Sequence, residues 1–367
     1  MQRRAFLKQT ALGAAAGGAA LAAPVVAQTA PSISWRLASS FPYESPTLFA
    51  GAEDVARYLS DVTDGRFQIE IFPAGDLAPA GQVLQAVRDR VADCGHTAST
   101  RYFDIDPALC FDGAVPFGLN TRQMHAWMIQ GNGLALTRVL FDKHNILNFP
   151  CGYTGAQMGG WFRPEIKTAD DFRGLKVKAG GFARQVLARL GATPVDVAAP
   201  DAYTALEQGE VDAVAWIGPY DDEGLALYKV ARNYYFPGWW AGTLQLSLYV
   251  NQDAYDELPK SYQSALELAC RMASGNMLAK YDAGNPDALH RLVSRGAQLK
   301  AFPRPVLQAC RDASLQLYDE LGAKDPMFKK LYESMKSFRD KQAPWFRLAE
   351  TSFDNLGLSL GPDASSG

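Results

Sequence analysis

FRGLKVKAGGFARQVLARLGATPVDVAAPDAYTALEQGEVDAVAWIGPYDD, residues 172–222, reads as strand, helix, strand, helix, strand. Residues 174–178 form a short alternating strand. Gly180 and Gly181 turn it into an amphipathic run, 182–190, which Gly191 closes as a C-terminal cap. A second strand is expected at 194–197. A helix over 201–207 follows, closed by Gly209, and then a third strand over 211–217, stopped by Gly218 and Pro219. Strands alternating with short helices predict an α/β fold with a parallel sheet, and such sheets bind ligands beyond the carboxyl ends of their strands. Lys178 and Trp216 fall near two such ends.

The flanks extend the pattern. Residues 35–39 read as a strand. A helix over 47–60 aligns Leu48, Ala52, Val55 and Leu59 on one face, and 67–72 alternates as the next strand. The loop Ser39, Ser40, Phe41 therefore lies at a strand's carboxyl end, where it serves either a ligand or the following helix. A helix at 79–89 and a strand at 91–97 lead to Arg101, a cleft cation or a surface arginine. Residues 124–141 read as a long helix interrupted by Gly131 and Gly133. Those glycines lack the context of a phosphate loop. Residues 146–152 run into 155–162, read as one crossing strand that contains Gln157. A glutamine amide both donates and accepts. Downstream come a returning strand (244–250) and a long helix (259–281), with Leu266, Leu268 and Met272 packed and Glu267 and Arg271 solvated. Helices at 304–321 and 327–342 follow, extended over 345–358. Asp221 and Asp222 read as loop acids after Pro219.

Four pieces in this order carry a resemblance: Gly155 to Arg163 (GAQMGGWFR), Gly174-Leu175-Lys176, Trp216 to Asp222 (WIGPYDD) and Tyr234 to Trp240 (YYFPGWW). Together they resemble the periplasmic receptors of TRAP transporters, most like the branch that binds 2-oxoacids and lactate. The likeness runs from about Trp35 to about Leu358. It implies a two-domain periplasmic binding protein fold, hinge-linked, with a long domain-spanning helix. Domain I would hold 33–154 plus about 244–285, domain II 155–243 plus about 286–324, and 325–360 would be a helical extension. It implies capture of a small organic acid anion and its delivery to an integral membrane permease. Candidate substrate-binding residues are Gln157, Lys178, Trp216, Arg101, Trp240, Phe182, Ser40 and Phe41.

The same resemblance implies two departures. Lys178 stands where these receptors usually carry a carboxylate-gripping arginine. Ala215 and Ala241 stand where the 2-oxoacid branch commonly carries glutamates that help hold a bridging cation. Calcium needs several oxygen ligands, so the expectation is a site without metal or other cofactor, in which Arg101 and Lys178 neutralise the ligand. Space at the two alanines would admit an acid longer than pyruvate, even a dicarboxylate.

The chain's 367 residues suffice for two cored domains, and a formal charge of −3 suggests neither a nucleic-acid nor an anionic-membrane partner. Arg3-Arg4 followed by a small-residue run ending at Val25-Val26-Ala27 reads as a twin-arginine signal peptide over 1–27. Its removal takes away Arg3, Arg4 and Lys8 and no acid, leaving −6. The five cysteines, Cys94, Cys110, Cys151, Cys270 and Cys310, show neither disulfide nor zinc spacing and read as buried thiols. The four histidines are scattered, and neither GxSxG nor HExxH occurs. An exported enzyme acting on a small organic acid is therefore the weaker class. The apolar tail, with Met327, Phe328, Leu331, Tyr332, Met335, Phe338, Trp345, Phe346 and Phe353, predicts a homodimer through the C-terminal helix.

Overall fold

The computed structural model describes residues 31–198 and 200–360, the last four as backbone only. The proposed signal peptide lies outside the described residues. Among the described residues eleven strands follow one another as β1 (Ile33–Ser39), β2 (Phe67–Phe72), β3 (Cys94–Thr97), β4 (Ile146–Tyr153), β5 (Trp161–Phe162), β6 (Lys176–Lys178), β7 (Thr193–Pro194), β8 (Ala213–Val214), β9 (Asn233–Phe236), β10 (Gln245–Asn251) and β11 (Gln298–Ala301). They build two sheets, β2-β1-β3-β10-β4 and β11-β9-β5-β8-β6-β7.

Both sheets are mixed, which corrects the expected parallel sheet. In the first, β1 lies parallel to β2 and β3, but β10 runs antiparallel to β3 and β4. In the second, the expected parallel unit survives in β7, β6 and β8, while β5 lies antiparallel to β8 and β9. The reason is connectivity. The chain enters the second sheet at β5 and leaves it after β9 without a covering helix, so each crossing reverses direction.

The crossing strand expected over 155–162 shrinks to β5. Gly155 (φ +73°) and Gly160 (φ +85°) take left-handed conformations that break an extended run. A Cβ on Gly160 would sit 2.6 Å from the Val214 carbonyl oxygen, so glycine is required there. Backbone donors between them find partners one at a time: Gln157 N–H to Ala241 O (3.1 Å), Met158 to Ile217 O (2.9 Å) and Gly159 to Tyr235 O (2.7 Å). The strands expected at 194–197 and 211–217 likewise reduce to two-residue ladders. The helices between them, Gly181–Arg189 and Ala202–Gln208, end at Gly191 and Gly209, both at positive φ.

The long helix is Lys260–Ser294, 35 residues, roughly 50 Å at 1.5 Å per residue. It continues past Tyr281, through Gly284 and Pro286. The Tyr220 ring lies flush on Gly284, and Asn285 accepts the Tyr220 N–H at 3.0 Å. Its buried stripe is Leu266, Ala269, Cys270, Ala273, Met277 and Tyr281. Leu268 and Met272, expected in the core, are exposed. Asp221 and Asp222 sit in a short helix, Pro219–Leu225, rather than a loop, with Pro219 at its first position.

At the C-terminus, helix Arg304–Lys324 packs on Gly181–Arg189, and helix Pro326–Phe346 packs on Thr121–Ile129 and Gly133–Asp142. Phe328, Leu331 and Met335 are buried within this chain, so that part of the apolar tail needs no second copy. Trp345, Leu348 and Phe353 stay exposed. All five cysteines are buried and unpaired. No helix among the described residues is long and apolar enough to cross a membrane.

Candidate functional site

The carboxyl ends of β1, β3, β6 and β8 face one cavity of about 440 Å³. Phe41 stands two residues beyond β1. Arg101 lies in the tight turn Ser99–Tyr102 after β3. Lys178 is the last residue of β6, and Trp216 stands two residues beyond β8. The two crossings supply Gln157 on one side and Trp240 and Ala241 on the other. Sheets of this kind present loops at these ends and so gather distant residues.

Seven of the eight residues singled out from the sequence line this cavity: Phe41, Arg101, Gln157, Lys178, Phe182, Trp216 and Trp240. Ser40 does not. It is buried, with its hydroxyl donating to Ala80 O at 2.8 Å and lying 2.6 Å from Thr97 Oγ1. Sequence reading missed Asp104, Arg184 and Asp196, whose neighbours along the chain look like ordinary surface.

Three cations and two acids line the cavity. Arg184 and Asp196 pair with each other. Arg101 and Lys178 have no hydrogen-bonded or ion-paired partner among the described residues. The Lys178 ammonium instead lies 4.7 Å from the centre of the Trp216 ring, and the Arg101 guanidinium 5.4 Å from that of Phe41. Burial pushes Lys178 down to about 8. Arg101 adds to that shift, and Asp196 opposes it. Burial lowers Arg101 too, but its side chain remains solvent-exposed, and arginine stays charged in proteins. Gln157 is buried at the cavity wall, and its amide makes no hydrogen bond within the protein among the described residues. Helix Gly181–Arg189 opens on the cavity with no side-chain cap, so its amino-terminal N–H groups add positive partial charge. Unspent cations, an unspent amide and a helix start, framed by Phe41, Phe182, Trp216 and Trp240, suit a small anion with an apolar body. Among the described residues the lining contains no Ser, His or Cys.

Comparison with known proteins agrees with this chemistry. Residues 38–325 match the family model DctP, bacterial extracellular solute-binding protein, family 7. A monocarboxylate 2-oxoacid-binding periplasmic protein of Nostoc sp. is 44% identical over 329 residues, 90% of each chain. A TRAP transporter solute binding protein from Bordetella bronchiseptica is 44% identical, with TM-score 0.87, over 90% of this chain and 98% of that one. It is described as a mixed occupancy dimer with copurified calcium and picolinate in one active site and the other site apo. A TRAP periplasmic solute binding protein from Colwellia psychrerythraea, with bound calcium and pyruvate, is 32% identical, with TM-score 0.86, over 89% of this chain and 100% of that one.

The calcium in those two relatives raises the question of a metal here. Calcium takes six to eight oxygen ligands, carboxylates among them. No group of three or more His, Cys, Asp or Glu among the described residues could hold a metal ion. Asp196 is already paired with Arg184, which leaves Asp104 as the remaining acid among the described lining residues. The side chains of this cavity do not fit a calcium site.

Proposed function

The chain belongs to the bacterial extracellular solute-binding proteins of family 7, and from that premise we propose that it captures a small 2-oxoacid or related carboxylate in the cleft beside Lys178. It acts outside the cytoplasm as the solute-binding component of a TRAP transporter. One observation carries the choice of ligand. Arg101 and Lys178 face the same cavity, and neither pairs with a carboxylate among the described residues. Burial makes an unpaired Lys178 ammonium costly, and an incoming acid offsets that cost. In this reading Lys178 and Arg101 hold the carboxylate, the Gln157 amide serves the oxygen on the next carbon, and Phe41, Phe182, Trp216 and Trp240 enclose the carbon chain. The relatives that carry pyruvate and picolinate support this class of ligand.

We also propose that residues 33–154 with about 244–285, and 155–243 with about 286–324, move as two domains that close on the acid. The permease receives the loaded, closed form. Family members are transport proteins, and a lining without Ser, His or Cys favours capture over turnover. Titration calorimetry of the purified protein with pyruvate tests the function. Stoichiometric binding with the acid recovered unchanged is expected, whereas conversion of the acid would sink the receptor reading.

Two finer readings accompany it. Residues 1–27 serve as a twin-arginine export signal, so Arg3→Lys with Arg4→Lys should retain the protein in the cytoplasm. The exposed apolar end of the last helices, with Trp345, Leu348 and Phe353, docks on a second copy. Light scattering that gives a monomer mass at micromolar concentration would refute the dimer.

A further inference from the structure

We propose that this receptor grips its acid without a bridging metal ion, Arg101 and Lys178 taking the place of the cation. The inference rests on the acid-binding reading above and goes beyond it by specifying how the charge is balanced.

Three observations converge. First, the donors are wrong for a hard cation, because the lining lacks a cluster of carboxylates. Second, the wall nearest the unpaired groups is methyl. The N–H of Ala215 bonds to the Lys178 carbonyl at 2.9 Å, and the N–H of Gln157 bonds to the Ala241 carbonyl at 3.1 Å. Both alanines line the cavity and offer no side-chain oxygen, and these two main-chain carbonyls already accept. Third, the positive charge is in place before any ligand arrives. Lys178 and Arg101 line the same cavity, burial first and Arg101 second lower the pKa of the Lys178 ammonium, and the uncapped start of helix Gly181–Arg189 adds to the same positive field. A divalent ion entering here meets two cations and a helix amino terminus. A carboxylate entering here meets three complements.

The arrangement balances charge economically for a monocarboxylate. One cation compensates the carboxylate, and the second polarises an adjacent oxo or hydroxyl oxygen, the task a shared metal ion performs when it bridges both groups. Gln157, with a free amide, supplies the neutral contacts.

The test is calorimetry on full-length mature protein stripped with EDTA and dialysed into a choline buffer. Pyruvate and picolinate are titrated with EDTA present, then with calcium or sodium added at matched ionic strength. A thermal-shift series with calcium alone, and no acid, runs beside it. The expected result is stoichiometric binding in EDTA, a change of less than about threefold on adding either metal, and no stabilisation by calcium alone. Affinity that rises thirtyfold or more with calcium or sodium overturns the inference while leaving the acid receptor intact. Stabilisation by calcium alone overturns it too. If neither acid binds in any condition, the acid-binding reading itself fails, and this inference with it.

Discussion

Lys178 ends β6 with its ammonium over Trp216 and no ion-paired acid among the described residues. Burial has pushed that ammonium down to about 8, so near neutral pH it is charged but easily discharged. A bound carboxylate reverses the shift. Only the protonated amine attracts the anion, so affinity should hold below pH 8 and fall as pH rises through that value, while the acid itself stays ionised throughout. A pH series of binding constants checks this; a flat profile from pH 7 to pH 10 would exclude Lys178 from the site. Lys178→Met should weaken acid binding by about 2–4 kcal/mol, the usual cost of deleting one partner of a buried, hydrogen-bonded charge pair. A loss of less than about tenfold would mean that something else anchors the acid. Much of the cavity wall was legible at this scale. Phe41, Arg101, Lys178 and Trp216 stand at or near the ends of segments that read as strands, and strand ends are where such folds gather ligand groups. Ser40 misleads because position does not reveal direction: its hydroxyl turns inward to Ala80 and Thr97. Arg184 and Asp196 escaped because a charged residue on a short helix and one in a loop look the same whether they face a cleft or bulk water.

The short helix Pro219–Leu225 joins the second sheet to the long helix through its acids. Asp221 accepts the Tyr281 hydroxyl at 2.6 Å. Asp222 is buried and accepts Trp161 Nε1–H and the Tyr234 hydroxyl, each at 2.8 Å, both on the same oxygen. Its other oxygen has no partner among the described residues, and burial pushes its carboxyl up to about 7, with a smaller push from Asp221. The sign of the linkage follows. The folded value lies above the ordinary 3.8, so the fold favours the protonated acid. That contribution to stability is complete below about pH 4 and is lost as pH rises through 7. Asp222→Asn, which carries no titrating proton, should therefore gain stability relative to the native chain between pH 4 and pH 8, with the melting-temperature difference widening as pH rises. Parallel melting curves across that range would disprove the assignment. The stacked Trp161 and Tyr234 rings, 3.8 Å apart at the centroids, keep the site packed in both variants. Elements of this kind resist reading from sequence for a physical reason. A two-residue strand such as β5 or β8 has no period to detect, and its existence depends on neighbours supplied from elsewhere in the chain. The long helix was legible to Tyr281 and unreadable beyond it, because Gly284 and Pro286 are stop signals that packing against Tyr220 overrides.

At the scale of the molecule, several covalent paths link the two sheets, and they fix what motion is available. Residues 154–160 and 237–244 cross as irregular chain, and the long helix passes from β4 and Pro46–Val62 to Pro219–Leu225. The C-terminal helices add a further link, with the Tyr318 hydroxyl donating to Pro116 O at 2.8 Å and Arg339 to Phe117 O at 2.7 Å. On the two-domain proposal, a chain so tied would rotate rather than slide, about crossings that hold glycines at positive φ, such as Gly155. There is also space to close. Leu48 and Trp216 border both the cavity and a second hollow of about 710 Å³, whose walls are Glu44 to Leu48 on one side and Tyr203, Tyr220 and Asp221 on the other. The two walls belong to segments flanking different sheets, so a rotation that narrows the cavity narrows the hollow as well. A ligand drives that rotation only to the extent that it binds the closed form more tightly. On the acid-receptor proposal, contacts from Arg101 on one side and from Lys178 with Trp216 on the other would supply that difference. Saturating pyruvate should therefore reduce the radius of gyration measured by small-angle X-ray scattering and change tryptophan emission. Trp216→Phe should abolish most of the emission change while keeping the contraction. Lys178→Met should need more acid to reach the same contracted state. Scattering curves that superpose with and without saturating acid, in a protein shown by calorimetry to be loaded, would mean that the cleft receives its ligand already closed, and that the permease must recognise the bound acid by some feature other than domain closure.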